Sequence, residues 1–338
     1  MMSDHKKLLI VGAGGFIGGF IASQGLERGY DVWVGVRAST SMRYLGDPRL
    51  HRIVLDYDRP EEVTRALAEA LPQDERWDCV IHNLGATKCT RFSYFDVINC
   101  DYLKHVVEAL KATDRVPDRF LLMSSLSALG PGDERNYTPL DEHTPPNPNT
   151  HYGRSKIKAE EYLRQSAGIP YTIFRATGVY GPHEQDYLMM IKSIDRHWDF
   201  GVGYRRQMLT FIYVEDLVNA MYDALDSSAT LNNTYIISEP RAYSQSEFRA
   251  IVAKALGGRF VVPVKLPLWM VYVASAIAEK IGAMRGRAST LNRDKYKIMK
   301  QRNWTCDVTP AQRDFGFTVR FPLVKGVEET VKSYLSDK

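Results

Sequence analysis

Gly12-Ala13-Gly14-Gly15-Phe16-Ile17-Gly18 follows directly on the apolar run Leu8-Leu9-Ile10-Val11 and opens a helical pattern over 17–28. A strand that turns through glycines into a helix is the arrangement that binds dinucleotides. One glycine makes the tight turn, one lets the backbone approach a pyrophosphate, and one packs helix on strand. The phosphates would then meet the amides at the helix N-terminus. The spacing falls on Gly12, Gly15 and Gly18, with Gly14 inside the turn and Phe16 and Ile17 beginning the helix. An ordinary glycine turn explains this composition but not its place between strand and helix.

Outward from this turn, apolar runs and helical patterns alternate. Strands are predicted at 7–11, 31–36, 52–55, 78–83, 119–124 and 171–175, and helices at 61–71, 99–111 and 152–165. This alternation predicts an α/β chain with a Rossmann-type doubly wound parallel sheet. A last sheet strand is expected at 233–238, whereas 245–256 and the region from Pro263 onward read as helical. The expected organisation is a dinucleotide-binding domain over 1–180, completed by about 208–240. A smaller, mainly helical C-terminal substrate lobe is expected over 181–207 and 241–338.

Composition narrows the function classes. With 338 residues and 44% hydrophobic content the chain can bury a large core. A balance of 44 basic against 40 acidic residues leaves +4, too even for a nucleic-acid footprint. Cys79, Cys89, Cys100 and Cys306 form no Cys-x-x-Cys pair, which predicts reduced thiols, a cytoplasmic setting and no metal site. The first apolar run enters glycines, unlike a signal peptide, and the apolar stretch 266–278 is closed by Glu279 and Lys280 before it could span a bilayer. That stretch reads as a core helix, the wall of an oily pocket, or a peripheral membrane contact with Lys280, Arg285 and Arg287 on an anionic surface.

The chemistry is carried by His151-Tyr152-Gly153-Arg154-Ser155-Lys156, with Ser125 upstream. A tyrosine near its ordinary pKa of about 10 is a poor proton carrier at neutrality, and a cation one helical turn away favours the phenolate. Spacing i, i+4 sets Tyr152 and Lys156 on one helix face, although such a pair also occurs on solvated helices. The loop Pro145-Pro146-Asn147-Pro148-Asn149-Thr150 delivers the chain to this helix start.

Further motifs follow in order: Asp56 after the third strand, His82-Asn83-Leu84-Gly85-Ala86 after the fourth, Asn99, Ser124-Ser125, Arg175-Ala176-Thr177-Gly178-Val179-Tyr180-Gly181-Pro182 and Phe211-Ile212-Tyr213-Val214-Glu215-Asp216. With Gly12, Gly15, Gly18 and Tyr152-x-x-x-Lys156, the chain resembles the extended short-chain dehydrogenase/reductase superfamily over nearly its whole length. The resemblance implies Tyr152 as acid/base, Lys156 as its electrostatic partner and ribose ligand, and Ser125 as donor to the substrate oxygen, with Ser124 as the fallback. It places Gly12, Gly14, Gly15, Phe16, Ile17, Gly18, Asn83, Gly85, Ala86, Asn99, Arg175, Thr177 and Gly178 around the cofactor. Asp56 would accept from the adenine amino group, with Tyr57 beside it. Asn99 would hold a water or the active-site helix, or simply be a buried structural asparagine. Thr87, Lys88, Ser127 and His183 would lie on the substrate side, Lys88 reading also as a solvated loop cation.

Val34-Gly35-Val36-Arg37 ends the second strand where an acidic residue would normally bind the ribose hydroxyls of NAD. Arg37 offers a cation to a 2′-phosphate, with Ser39, Thr40 and Ser41 as added donors, so NADP is expected, NAD being the alternative; a solvated surface arginine is the plainer reading. The family's dehydratases carry an acid pair after the catalytic Ser/Thr, and Leu126-Ser127 lacks it. The apolar segment 261–274, with Leu291-Asn292-Arg293 and Trp304-Thr305-Cys306-Asp307, is similar to the branch of 3β-hydroxysteroid dehydrogenases, dihydroflavonol reductases and lipid-ketone reductases. The expectation is an oxidoreductase that interconverts a ketone and a secondary alcohol on a lipophilic small molecule, with a sugar-nucleotide epimerase as the competing reading. The resemblance also implies a homodimer formed through the Asn99 and Tyr152 helices. A noncatalytic NADP sensor would keep the glycine turn while losing the tyrosine or lysine, and both are present.

Overall fold

The structure is a computed structural model that describes residues 5–338. Strand β1 (Lys7–Val11) runs into the glycine turn and helix α1 (Phe16–Glu27), then β2 (Asp31–Val36), β3 (His51–Val54), helix α2 (Pro60–Glu69), β4 (Cys79–His82), β5 (Arg119–Ser125) and β6 (Tyr171–Ala176). A seventh strand, Asn233–Ile237, pairs with β6 at one edge, and the sheet order from that edge is β6, β5, β4, β1, β2, β3. Every pairing in this sheet is parallel. The chain builds outward from β1 to β3 and then crosses back to β4. The direction of winding therefore reverses between β1 and β4, and ligands of such sheets bind in the crevice at the strands' carboxyl ends there. Val11 and His82 are partners across that junction, so the Gly12 turn and the Asn83 loop leave the sheet side by side.

Both sheet faces are covered, as near-continuous apolar strands require. On one face Leu8, Ile10, Val32 and Ile81 pack with α1 and the helix Val214–Asp226. On the other, Leu9, Val11, Val80 and Leu122 pack with α2, the helix Tyr102–Ala112 and the helix His151–Gln165. The helix expected at 99–111 starts as a π-turn, Val97–Asp101, with Asn99 buried inside it. Such turns displace one residue from the regular ladder and are frequent at functional sites.

The second half departs from the sequence expectation in two ways. The region from Pro263 opens as a strand, Val262–Leu266, paired in parallel with Trp198–Val202; the helix Leu268–Met284 follows it. Branched Val262 and Val264 suit a pleated surface once a partner strand is supplied. Nor does the stretch 241–338 stay in one lobe. Cys306, Val308, Ala311 and Phe317 return to the core under β1 and β6, whereas Phe248, Val252, Leu323 and Val327 form a separate cluster with Tyr180 and Phe211.

Candidate active site

The glycine turn shows what each glycine is for. Gly12 has φ +83°, and a Cβ there would lie 2.5 Å from the Leu84 Cα, so the turn and the Asn83 loop touch backbone to backbone. A Cβ at Gly18 would meet the Ala13 carbonyl at 2.4 Å, which fixes the helix against the turn. Gly15 is different: it is exposed, it starts α1 with φ −87°, and a Cβ there would meet nothing within 4 Å. Nothing in the protein requires glycine at 15. The space in front of it is open to a group from outside, and the first turn of α1 has no side-chain cap on its amides. This open cradle fits a dinucleotide pyrophosphate.

Around the cradle, the Thr40 hydroxyl accepts from the Arg37 amide at 3.0 Å, and its methyl covers Gly14. Arg37 and Ser39 are exposed, and among the described residues no ion pair involves Arg37. Phe16 packs edge-on against Phe20 beside the turn. Asp56 is held by Arg59, whose Nε donates to it at 2.7 Å, and remains half-buried. Tyr57, next in the chain, is buried with its ring stacked on Tyr102; its hydroxyl has no partner among the described residues, and its carbonyl is bonded to His105.

The catalytic candidates converge from three elements. Thr150 caps the helix His151–Gln165 by accepting from the Gly153 amide at 2.9 Å, and Gly153 admits the Ser127 carbonyl, 2.2 Å from where a Cβ would stand. This close packing sets Tyr152 against the end of β5. Burial pushes the Tyr152 phenol above its ordinary value, opposed by a hydrogen bond with Ser125. Ser124, the fallback, instead donates its hydroxyl to the buried Glu160. Lys156 is buried, donates to the Met123 carbonyl at 2.9 Å, and is pulled down to about 8 by burial against the favourable charge of Glu160. Burial is the larger influence on the Tyr152 phenol and Ser125 opposes it, while Lys156 keeps its charge beneath the site with one bond to the Met123 carbonyl.

Lys156 stands directly beneath the β4 loop, and a Cβ at Gly85 would lie 2.9 Å from its Nζ. Asn99 braces that loop. Its Oδ1 accepts from the Ala86 amide at 2.7 Å, while its Nδ2 donates to the Ala86 carbonyl and to Ser155 Oγ. The carboxamide is thus occupied in joining loop to catalytic helix, which makes Asn99 a positioning residue. Asn83 donates to the Gly12 carbonyl at 3.4 Å, closing the gap between the two loops. His82 adds no charge here: burial and then the Lys156 charge pull its imidazole down to about 3.

Other expected contacts are redirected. Arg175 is buried in a bidentate pair with Glu160, so its side chain holds the helix to β6 and is not free for a cofactor. Thr177 bonds Ser238, and Gly178 makes room for the Tyr187 hydroxyl. His183, at φ +75°, packs its ring at a tilt against Tyr44. Lys88 is paired with Asp186, which also holds Lys295; burial raises the Asp186 carboxyl, but the two lysines outweigh it. Thr87 stays exposed at the mouth.

Two functional residues were missed. Glu160 continues the face of Tyr152 and Lys156 by one more turn, and that spacing was a usable signal. Asp294 had none: its carboxylate accepts from the His151 and Tyr152 amides, both at 3.0 Å, capping the catalytic helix from the C-terminal region. Among the described residues no group of three or more His, Cys, Asp or Glu is placed to hold a metal ion.

This architecture has relatives. A protein of Methanocaldococcus jannaschii, whose assignment as a UDP-glucose 4-epimerase is itself provisional, is 25% identical over 81% of this chain and 92% of its own. An uncharacterized UDP-glucose epimerase of Bacillus subtilis is 26% identical over 74% of this chain and 80% of its own. Among solved structures, UDP-glucose 4-epimerase of Thermus thermophilus in complex with NAD has a TM-score of 0.77 at 19% identity, covering 98% of this chain and 100% of that one. The Thermotoga maritima UDP-glucose 4-epimerase with UDP-glucose also has a TM-score of 0.77 at 19% identity, covering 98% and 99%. At that identity the likeness is one of fold. The family profile matches residues 8–238, spanning the glycine turn, Tyr152, Lys156 and the last sheet strand, and the chain belongs to the NAD dependent epimerase/dehydratase family.

Proposed function

We propose that the chain is an NADP-dependent oxidoreductase that interconverts a ketone and a secondary alcohol on an apolar molecule of steroid, flavonoid or sphingolipid type. The observation that carries this reading is Arg37, exposed and without an ion pair at the end of β2, where an acid would otherwise accept from the ribose hydroxyls of NAD. A guanidinium there pairs with a 2′-phosphate and cannot accept from the ribose hydroxyls as a carboxylate does. NADP, when bound, supplies the hydride chemistry. The Gly12–Gly18 turn, Arg37 and Lys156 are the groups that would hold it.

The remaining work falls to the chain's own side chains. The Tyr152 phenol gives its proton to the substrate oxygen in reduction and takes it back in oxidation. Ser125, beside that phenol, offers a second hydroxyl to the same oxygen and stabilises charge as it develops. Lys156, with its pKa near 8, is mostly protonated at neutral pH and supplies the positive field. Asn99 and Asp294 fix the loop and helix that carry these groups.

A second reading, a sugar-nucleotide epimerase that retains NAD through each turnover, is favoured by the names of the relatives. Titration of NADPH and NADH into the purified chain separates the two. Wild type should prefer NADPH, and Arg37→Ala should lose roughly ten- to a hundredfold in NADPH affinity while leaving NADH unchanged. Equal binding of both, or NAD carried through purification, would overturn the NADP reading and favour the epimerase.

A further inference from the structure

The helix Leu268–Met284 is apolar yet little buried. Of its seventeen residues only Val271 and Ser275 are buried. Trp269, Val273, Ile277 and Ile281 follow one another at intervals of four and form a ridge on one face, with Met284 at its end. All five are exposed, Trp269 at 68%, Ile277 at 55% and Met284 at 79%. Trp198 and Phe200, stacked on each other, and Phe260 extend apolar surface along the strand pair from which the helix departs. A continuous apolar ridge of this kind has a partner.

Charge identifies the partner. Between Val262 and Arg287 the charged residues are Lys265, Glu279, Lys280, Arg285 and Arg287. Glu279 is neutralised by Arg293 at 2.7 Å, whereas among the described residues no ion pair involves the four cations. Three of these cations gather at the C-terminal end of the ridge. A second copy of the chain meeting this face would bring the same cations and no free carboxylate to answer them. The helix spans about 25 Å, short of a bilayer's apolar core, and no helix among the described residues is long and apolar enough to cross a membrane.

We propose that this face docks the protein on an anionic lipid bilayer, with Trp269, Val273, Ile277 and Ile281 in the acyl boundary and Lys280, Arg285 and Arg287 among the headgroups. The C-terminal end of the helix also lines a cleft of 140 Å³ with Cys89, Arg91 and Phe92, on the loop that follows Gly85 and Ala86. Docking there sets the mouth of the candidate active site beside the membrane surface. The inference stands on the helix and its charges and does not depend on which cofactor or substrate the site takes.

Cosedimentation of the full chain with phosphatidylcholine vesicles, with and without about 30% phosphatidylglycerol, tests it. Wild type should partition at least about tenfold more strongly to the anionic vesicles and be released by about 0.5 M salt. Ile277→Ser with Ile281→Ser, and separately Lys280→Glu with Arg285→Glu and Arg287→Glu, should each reduce binding about tenfold or more. Because these side chains are exposed, thermal unfolding should stay at the wild-type midpoint, which separates lost docking from lost folding. Failure of wild type to bind anionic vesicles overturns the proposal. So does a wild-type dimer that Trp269→Ser converts to a monomer in light scattering, since the ridge would then be covered by a second copy.

Discussion

Replacing Lys156 by methionine should make the protein more stable at neutral pH while abolishing its activity. The ammonium is buried, and its pKa falls from the ordinary 10.5 to about 8, burial outweighing the attraction of Glu160. A difference of about 2.5 units at roughly 1.4 kcal/mol per unit means that holding the charge in the fold costs about 3 kcal/mol. Methionine fills similar volume without a charge, but the Met123 carbonyl loses its 2.9 Å donor, a loss of about 1 kcal/mol. The balance is a gain of about 2 kcal/mol near neutrality. The pH dependence has a definite sign. Between pH 8 and 10.5 the unfolded lysine binds more protons than the folded one, so wild-type stability rises with pH across that window. The advantage of the variant should therefore shrink over the same range and be gone above it. Urea unfolding of both proteins at neutral pH and near pH 10 reads the difference, and other titrating groups cancel between them. A variant less stable than wild type at neutral pH would refute the reasoning, because the ammonium's bonds would then outweigh its desolvation.

Gly15→Ala should leave the melting temperature of the free protein nearly unchanged, since its Cβ meets no atom within 4 Å, yet weaken dinucleotide binding by about tenfold or more in calorimetric titration. Full retention of affinity would mean that the cradle at Gly15 is not the phosphate site. Asp294→Ala removes the acceptor of two catalytic-helix amides and should destabilise the protein by about 1–2 kcal/mol in chemical unfolding. It should also lower kcat more than it raises the cofactor KM, because Tyr152 sits on the helix turn that Asp294 holds; an equal change in both would place its effect on cofactor binding.

The pieces of this site act through a small number of bridges. Asn99 joins the β4 loop to Ser155, Glu160 joins the same helix to β6 through Arg175, and Asp294 joins its first turn to the C-terminal region. Asp186 adds a fourth tie, holding Lys88 from the loop beyond Ala86 and Lys295 from the turn after Asp294. Each is a charged or amide group that is at least partly buried and fully committed, the condition under which polar groups inside a fold hold geometry instead of weakening it. The redirected readings of Arg175 and Lys88 have one cause: side chains that a motif suggests for a ligand found protein partners.

What the sequence determined by itself was everything set by short-range constraint. The glycine turn follows from backbone geometry between adjacent elements, and the parallel sheet from short apolar runs alternating with helical patterns. The Tyr152–Lys156 face follows from one helical turn, which Glu160 extends. Tertiary structure decided what depends on where distant segments meet. Asp294 reaches the Tyr152 amide across 142 residues of chain, and Lys88 finds Asp186 across 98. The strand at Val262–Leu266 exists because Trp198–Val202 is there to pair with it. Periodicity reports which face of an element is buried, but not which other element buries it. A hydrogen bond or ion pair between such segments is therefore settled only when the chain has crossed back on itself.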